Sequence, residues 1–436
     1  MVIKNREDMI NNRLNANVFL GIGFLMGSIN MLYSEFFYIC ILSAFVINLK
    51  GNGKLFLQNV REEWKYIFLP IVGTMYLGIH YLVSLFLGVN GKPSWSFAEF
   101  LILYFFVFSL YLISIKPFLT VDLLKKFLLS LCIGILAINI VKFFYLTGLG
   151  IFTDPANTLK EIYTQRFGMN MGFWGGYFYL EPQACYLCVS SLISMFFLMN
   201  GEWISQNRKQ LLLYSLILIS SLLFLSFTVT KGAILGVILG FVVLIILIWR
   251  NWSGMKKITF ILTASISLLI VIPILPDIYF HRYHELTNEI KAMQEGELKV
   301  GSFSGRIRLL KANFAHFKQF GVYGFGVYKK SIVKEWYEKF PGNTHAHNSF
   351  VEYWITGGIC GLIFIIYYFI APLLRMRKIH RYSPLGIAII ATLAFMNNST
   401  ILIILVDSAP FIITMLTLLF FYADKFYELE TSRCLP

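Results

Sequence analysis

GAILGVILGFVVLIILIW, residues 232–249, is the stretch that decides the fold. It carries no charge, and as a helix it extends about 27 Å, close to the thickness of a bilayer's hydrocarbon core. Thr228-Val229-Thr230-Lys231 precedes it, and before that comes a second apolar run, 210–228. Arg250 follows it. Runs of this kind recur along the chain. Its 436 residues are 57% hydrophobic and only 14% charged, with mean hydropathy +0.69. A soluble globule has no use for so much apolar surface, so the chain reads as an all-α polytopic membrane protein.

Twelve spans are expected, near 16–33, 35–49, 66–88, 97–115, 123–147, 177–199, 210–228, 232–249, 258–275, 349–372, 384–398 and 401–422. The last pair leaves its turn open between Asn397-Asn398-Ser399-Thr400 and Asp407-Ser408-Ala409-Pro410. Three parts follow: an N-terminal bundle (1–275), a long loop with short helices (276–348), and C-terminal spans with a tail (349–436). Lys4, Arg6 and Arg13 stand before the first span, and no small-residue cleavage site follows it, so that span is expected to be retained.

The net charge of +14 is an orientation code rather than a nucleic-acid footprint. With a cytoplasmic N-terminus, the short loops after even-numbered spans hold sixteen basic residues, among them Lys54, Lys125, Lys126, Lys256, Arg375 and Arg377. Those after odd-numbered spans hold four: Lys92, Lys160, Arg166 and Lys231. That asymmetry puts both termini in the cytoplasm and the loop 276–348 outside.

Cys185 and Cys188 make a CxxC, but no second pair or nearby His completes a metal site. At helical spacing in an apolar run they read as small core residues. No metal and no cofactor is expected.

Gly342-Asn343-Thr344-His345-Ala346-His347-Asn348-Ser349-Phe350 closes the long loop as the apolar pattern resumes. Ionisable groups there are costly unless they line a wet cavity or do chemistry. Three further features share the outer side: Arg166 in the loop 148–176, Lys231 in the short turn between spans seven and eight, and Arg306 with Arg308 on a loop helix expected to start near Arg306. Fixed cations with a histidine suit an anionic lipid headgroup, a diphosphate above all. Charge stabilisation of a departing diphosphate, with His347 as proton acceptor, describes glycosyl transfer. His345 and Asn348 would support that group. Glu181, in the first turn of span six, reads either as an ordinary helix-start acid or as a base. Lys142, near the outer end of span five, reads as a snorkelling residue. Apart from it and Asp407 the spans read as nearly free of charge, which disfavours a transporter.

These residues resemble a known family, the O-antigen ligases and O-antigen or capsular-polysaccharide polymerases. The most specific piece is His347-Asn348-Ser349-Phe350 followed by Gly357-Gly358-Ile359-Cys360-Gly361. Ser304-Gly305-Arg306-Ile307-Arg308, the glycine-rich Gly321-Val322-Tyr323-Gly324-Phe325-Gly326-Val327-Tyr328, and the turn from Thr228 to Ala233 are similar to further family elements. The resemblance implies undecaprenyl-diphosphate-linked glycans as donor and acceptor, with no metal. It implies Arg166 and Arg306 on the diphosphate and His347 as base or acceptor-orienting group. A chain-length regulator protein is a further implied partner. Lys231 stands where the family has Arg, and the spacing from His347 to Gly358 departs from the ligase pattern. With Glu181-Pro182, that departure favours a polymerase over a ligase.

Overall fold

A computed structural model describes residues 2–28, 34–49, 52–86, 107–148, 150–154, 157–158, 180–200, 208–228, 230–249, 302–326, 346–399 and 409–431, with isolated positions between 254 and 291. The described residues are helical, with no strand among them. In chain order the helices of eight residues or more are α1 (Val2–Gly27), α2 (Ser34–Leu49), α3 (Gly53–Phe86), α4 (Phe108–Ile115), α5 (Val121–Thr147), α6 (Leu180–Asn200), α7 (Arg208–Thr228) and α8 (Lys231–Trp249). They continue with α9 (Ser302–Ala315), α10 (Ser349–Lys378), α11 (Pro384–Ser399), α12 (Ala409–Phe421) and α13 (Ala423–Thr431).

Five described helices are long and apolar enough to cross a membrane, or six if Phe36–Leu49 and Gly53–Trp64 form one bent span. Shorter apolar helices accompany them: Leu14–Gly27, Phe108–Phe118, Pro384–Asn398 and Phe411–Phe421. The full set of twelve spans is not seen among the described residues. Most of 97–115 and all of 258–275 lie outside them.

α6 is the central helix, with 89% of Pro182–Met199 buried. It packs on α7, α8, α11 and α5. α8 runs antiparallel to α11, where its glycines allow close approach: Gly236 sits against Met396, and Gly240 against Thr392. Thr392 Oγ1 donates to the Gly236 carbonyl at 3.1 Å. Lipid tails are as apolar as the helices, so small-residue contact and interhelical hydrogen bonds of this kind hold such pairs together. The α1–α5 pair repeats the device. Phe19 and Phe127 stack with centroids 4.3 Å apart. Gly27 lies against the Leu131 carbonyl and Gly134 against the Phe24 carbonyl.

At the opposite end of the bundle from the residues described next, Glu63 is 6% exposed and lies 3.2 Å from Lys116 Nζ and 3.0 Å from Arg375 Nη2. The segment 50–65 reads in sequence as a connecting loop; from Gly53 on it is helix, the start of α3. No proline or glycine interrupts residues 54–69, and the ion pairs to Lys116 and Arg375 fix its first turns.

The principal departure concerns α10. In sequence, 349–372 is one span. In the structure Gly358 adopts φ 58 and ψ −149, and the helix reverses there. A straight helix would separate Phe350 from Phe369 by about 28 Å, yet their ring centroids are 5.5 Å apart. Tyr353 and Phe364 stack at 6.2 Å, and a side chain at Gly361 would run into the Tyr353 carbonyl. So 349–357 is a short limb running back along a long limb, 359–378. Only the long limb, about 30 Å, is a span.

Backbone groups freed by the reversal need partners, since none is available from lipid. The glycine-rich turn supplies them. The Ile355 carbonyl accepts from Phe325 N at 2.8 Å, and Ile359 N donates to the Val322 carbonyl at 3.1 Å. Trp354 Nε1 donates to the Gly321 carbonyl and Tyr76 OH to the Tyr323 carbonyl, at 2.9 and 2.6 Å. Gly324, at φ 73, lies directly against Thr356 and Gly358. The two glycine motifs singled out in the sequence are therefore halves of one joint.

At the C-terminal end α11 is described to Ser399 and α12 from Ala409, and residues 400–408 lie outside the described residues. Asn397-Asn398 lies in α11 and Ala409-Pro410 in α12, while Thr400 of the first candidate turn and Asp407-Ser408 of the second fall outside the described residues.

Candidate active site

The short limb of α10 begins at Asn348, whose Oδ1 accepts from Phe350 N and Val351 N at 2.9 and 3.1 Å. This is an ordinary N-cap, satisfying amides the helix leaves orphaned. Its Nδ2 donates to Asn398 Oδ1 at 2.7 Å and to the Asn398 carbonyl at 3.1 Å. Ser349 Oγ donates to Asn397 Oδ1 at 2.8 Å. The short limb is thus tied to the end of α11, and His347 sits next to that tie. Because the limb runs back into the bundle, His347 is recessed from the reversal rather than placed at a loop–span boundary, as it reads in sequence.

His347 has φ 51, the left-handed region that few side chains adopt. On its other side, Ala346 N donates to Glu352 Oε2 at 3.0 Å. Glu352 is 0% exposed and Ala346 3%. In sequence, Glu352 passes unremarked within an apolar run counted as charge-free; the signal was a lone acid five residues after His347.

α9 starts at Ser302, a turn before Arg306. Its Leu309 packs with Phe320, Ala346, Val351 and Ile355, which sets α9 beside the short limb. Arg306 and Arg308 are both half-buried on that helix.

Lys231 is the first residue of α8. Its Nζ is buried with no hydrogen-bond partner among the described residues. Antiparallel packing of α8 on α11 brings the start of α8 to the end of α11, the same end as Asn397, Asn398 and His347. The start of α6 lies there too: Cys188 Sγ donates to the Ala233 carbonyl at 3.3 Å, and Leu192 lies against Gly240, so α6 and α8 run the same way. Cys185 and Cys188 are fully buried core residues.

Glu181 is the second residue of α6; its side chain, like all of Arg166 and His345, lies outside the described residues. Its neighbour Gln183 is buried, and its Oε1 accepts from Lys142 Nζ at 2.6 Å. Gln183 Nε2 in turn donates to Asn139 Oδ1, and Asn139 Nδ2 to the Ile135 carbonyl at 2.7 Å. Lys142 is 2% exposed, so the snorkelling expectation is wrong: the side chain turns inward to an amide 41 positions away. Among the described residues no group of three or more His, Cys, Asp or Glu forms a metal-type cluster.

One end of the bundle therefore gathers Lys231, Arg306 and Arg308, the His347-Asn348 turn, Glu352, and the start of α6. No curated protein matches the chain. A family model described as O-antigen ligase matches residues 214–366, about a third of the chain, from α7 through the reversal of α10. That stretch contains Lys231, Arg306, His347 and both halves of the glycine joint. The likeness to O-antigen ligases read from the sequence is thus met over residues 214–366, where the chain is similar to that family.

Proposed function

We propose that the protein is a polysaccharide repeat-unit polymerase of the bacterial cytoplasmic membrane. The growing glycan on undecaprenyl diphosphate is the donor and a lipid-linked repeat unit the acceptor. An acceptor hydroxyl attacks the donor's anomeric carbon with inversion. The new glycosidic bond forms as the bond to the diphosphate breaks, and undecaprenyl diphosphate leaves. His347 or Glu181 takes the hydroxyl proton. Arg166, Lys231, Arg306 and Arg308 neutralise the leaving group, while His345 and Asn348 orient the turn that holds the base.

The observation that carries this reading is the gathering of cations and His347 at one bundle end within the matched domain. A buried amine such as Lys231 Nζ suits a phosphate oxygen, because charge attraction grows as water is excluded. The basic-loop count supports putting that end outside and both termini in the cytoplasm. The charge stabilisation comes from the protein's own cations, so transfer is expected to survive a chelator. A chain-length regulator is the further partner this reading implies.

The second reading is a ligase with the same donor and lipid A core as acceptor, favoured by the description of the matched family. A transporter of lipid-linked glycan is the third. Lys142 and Glu352 are charged residues buried in helices, as a transporter would have. Both lie at the same end, however, rather than along a path through the bundle.

Surface glycans from a deletion strain separate the three. A lost polymerase leaves single repeats on the acceptor, and a lost ligase leaves long free lipid-linked chains. A lost transporter leaves the lipid-linked repeat trapped inside. His347→Ala or Arg306→Ala, at normal expression, is expected to reproduce the single-repeat pattern. Wild-type polymer from either variant removes that residue from the mechanism.

A further inference from the structure

We propose that Glu352 is the positioning residue for His347: its buried carboxylate clamps the left-handed turn that aims the imidazole. The assignment rests on the glycosyl-transfer reading above, since it takes His347 as the working group. Three observations carry it.

The first is the backbone. His347 is one of two described non-glycine residues with positive φ, the other being His380 in the loop between α10 and α11. An imidazole in that region persists only where its surroundings over-determine it. The second is the pair of ties around it. On the near side, the N–H of Ala346 is held by Glu352 Oε2 at 3.0 Å. On the far side, Asn348 caps the short limb and reaches Asn398. A residue gripped at both neighbours cannot relax its own φ and ψ independently. The third is cost. Glu352 is 0% exposed on a limb folded into an apolar bundle, where a carboxylate is far more expensive than an apolar side chain of like volume. Packing alone would not require it. Aliphatic neighbours Val351 and Ile355 already fill the contact with α9.

Glu352 sits four positions into the limb, so its carboxylate reaches back across the first turn to a donor that lies before the cap. An ordinary capping box would tie the cap residue itself. Here the tie falls one residue on the other side of His347, which makes it a clamp on the histidine rather than on the helix.

The test uses the full-length protein in detergent, a defined undecaprenyl-diphosphate-linked repeat as donor, and two acceptors in parallel, the lipid-linked repeat and lipid A core. Transfer only to the core overturns the polymerase reading, yet the Glu352 comparison is still read from that transfer. Glu352→Ala is expected to lower kcat about tenfold or more with KM for the donor within about twofold, since only the transition state uses the aimed imidazole. Glu352→Gln, which still offers an oxygen to Ala346 N–H, is expected to recover most of kcat. Combining Glu352→Ala with His347→Ala is expected to cost no more than His347→Ala alone, because residues acting as a unit are non-additive. Losses that multiply, a Gln variant as impaired as Ala, or full kcat in Glu352→Ala would each overturn the assignment. Should Glu352→Ala fail to fold, Glu352→Gln beside Glu352→Met, alone and with His347→Ala, gives the same comparison at nearly constant volume.

Discussion

Phe350 and Phe369 belong to one continuous helical segment, about five turns apart along it, and their rings face each other with centroids 5.5 Å apart. Only a full reversal between them permits that contact, and the reversal falls on Gly358. The hairpin this makes is held by two unlike sets of bonds: aromatic pairs along its length and a glycine-rich turn at its apex.

The apex is the first place to test. A side chain at Gly358 would need φ 58 and would run into the Val322 carbonyl and Tyr323 backbone. Gly357, one residue earlier, has its nearest such neighbour, Tyr76 Cε1, at 4.0 Å. Gly358→Ala is therefore expected to destabilise by about 3 kcal/mol or more, combining backbone strain with overlap. Gly357→Ala is expected to stay within about 1 kcal/mol of wild type. Thermal unfolding of the two purified variants makes the comparison, and equal melting temperatures would contradict the reversal.

Asn348 performs two tasks with two atoms. Asn348→Ala removes the cap and the tie to Asn398, and is expected to cost about 1–2 kcal/mol from the cap alone. Asn348→Asp keeps the accepting oxygen but loses the donor to Asn398 Oδ1. It is expected to unfold near the wild-type temperature while losing transfer activity, because the limb is capped but no longer anchored. Full activity in Asn348→Asp would show that the anchor is dispensable.

Lys142 offers a test of a buried amine. Lys142→Met keeps the length of the side chain but leaves Gln183 Oε1 without that donor. The expected loss is about 1–3 kcal/mol, the cost of an unsatisfied buried acceptor. Gln183→Leu should cost less in that background than in the wild type, where it also removes the acceptor of Lys142, while Asn139 Oδ1 loses its donor in both. A strictly additive double variant would argue against the pairing.

Glu63 holds the far end. Glu63→Gln weakens contacts to both Lys116 and Arg375, whose side chains are only 27% and 26% exposed. Partial solvent screening limits the expected destabilisation to about 1–3 kcal/mol. Turnover per folded molecule should be unchanged, because the cluster lies at the other end from His347. A selective loss of turnover would link the two ends.

The helical character of the chain was legible because unbroken apolar runs such as 232–249 admit few other readings. The recessed site was not. Gly357-Gly358 looks like a packing motif inside a span, and nothing local says that the helix turns back. The partners that satisfy the reversal, Val322 and Phe325, lie more than thirty residues upstream. Lys142 is opaque in sequence for a similar reason: a lysine near a span end ordinarily reaches for water, and Gln183, which accepts from it, is on another helix. Glu352 does not stand out in the sequence, because a single acid barely lowers the hydropathy of the run around it. Lys231, Arg306 and His347 stand out in the sequence because each is a polar exception beside an apolar stretch, and the described helices bring them to one end of the bundle. Their companions Asn397 and Asn398 looked like turn formers and proved to be the anchor of Asn348.

The reversal at Gly358 also bears on how the chain is made. A nine-residue limb is too short to be inserted as a span, so only 359–378 can enter the bilayer during synthesis. The limb that precedes it must fold inward afterwards, once α11, synthesised later, presents Asn397 and Asn398. Because the limb enters and leaves on the same side, it adds no crossing and leaves the alternation of loops between the two compartments undisturbed. The end that holds His347 is then the last to be completed, and a chain truncated before α11 would possess its long spans and lack the anchorage of that histidine.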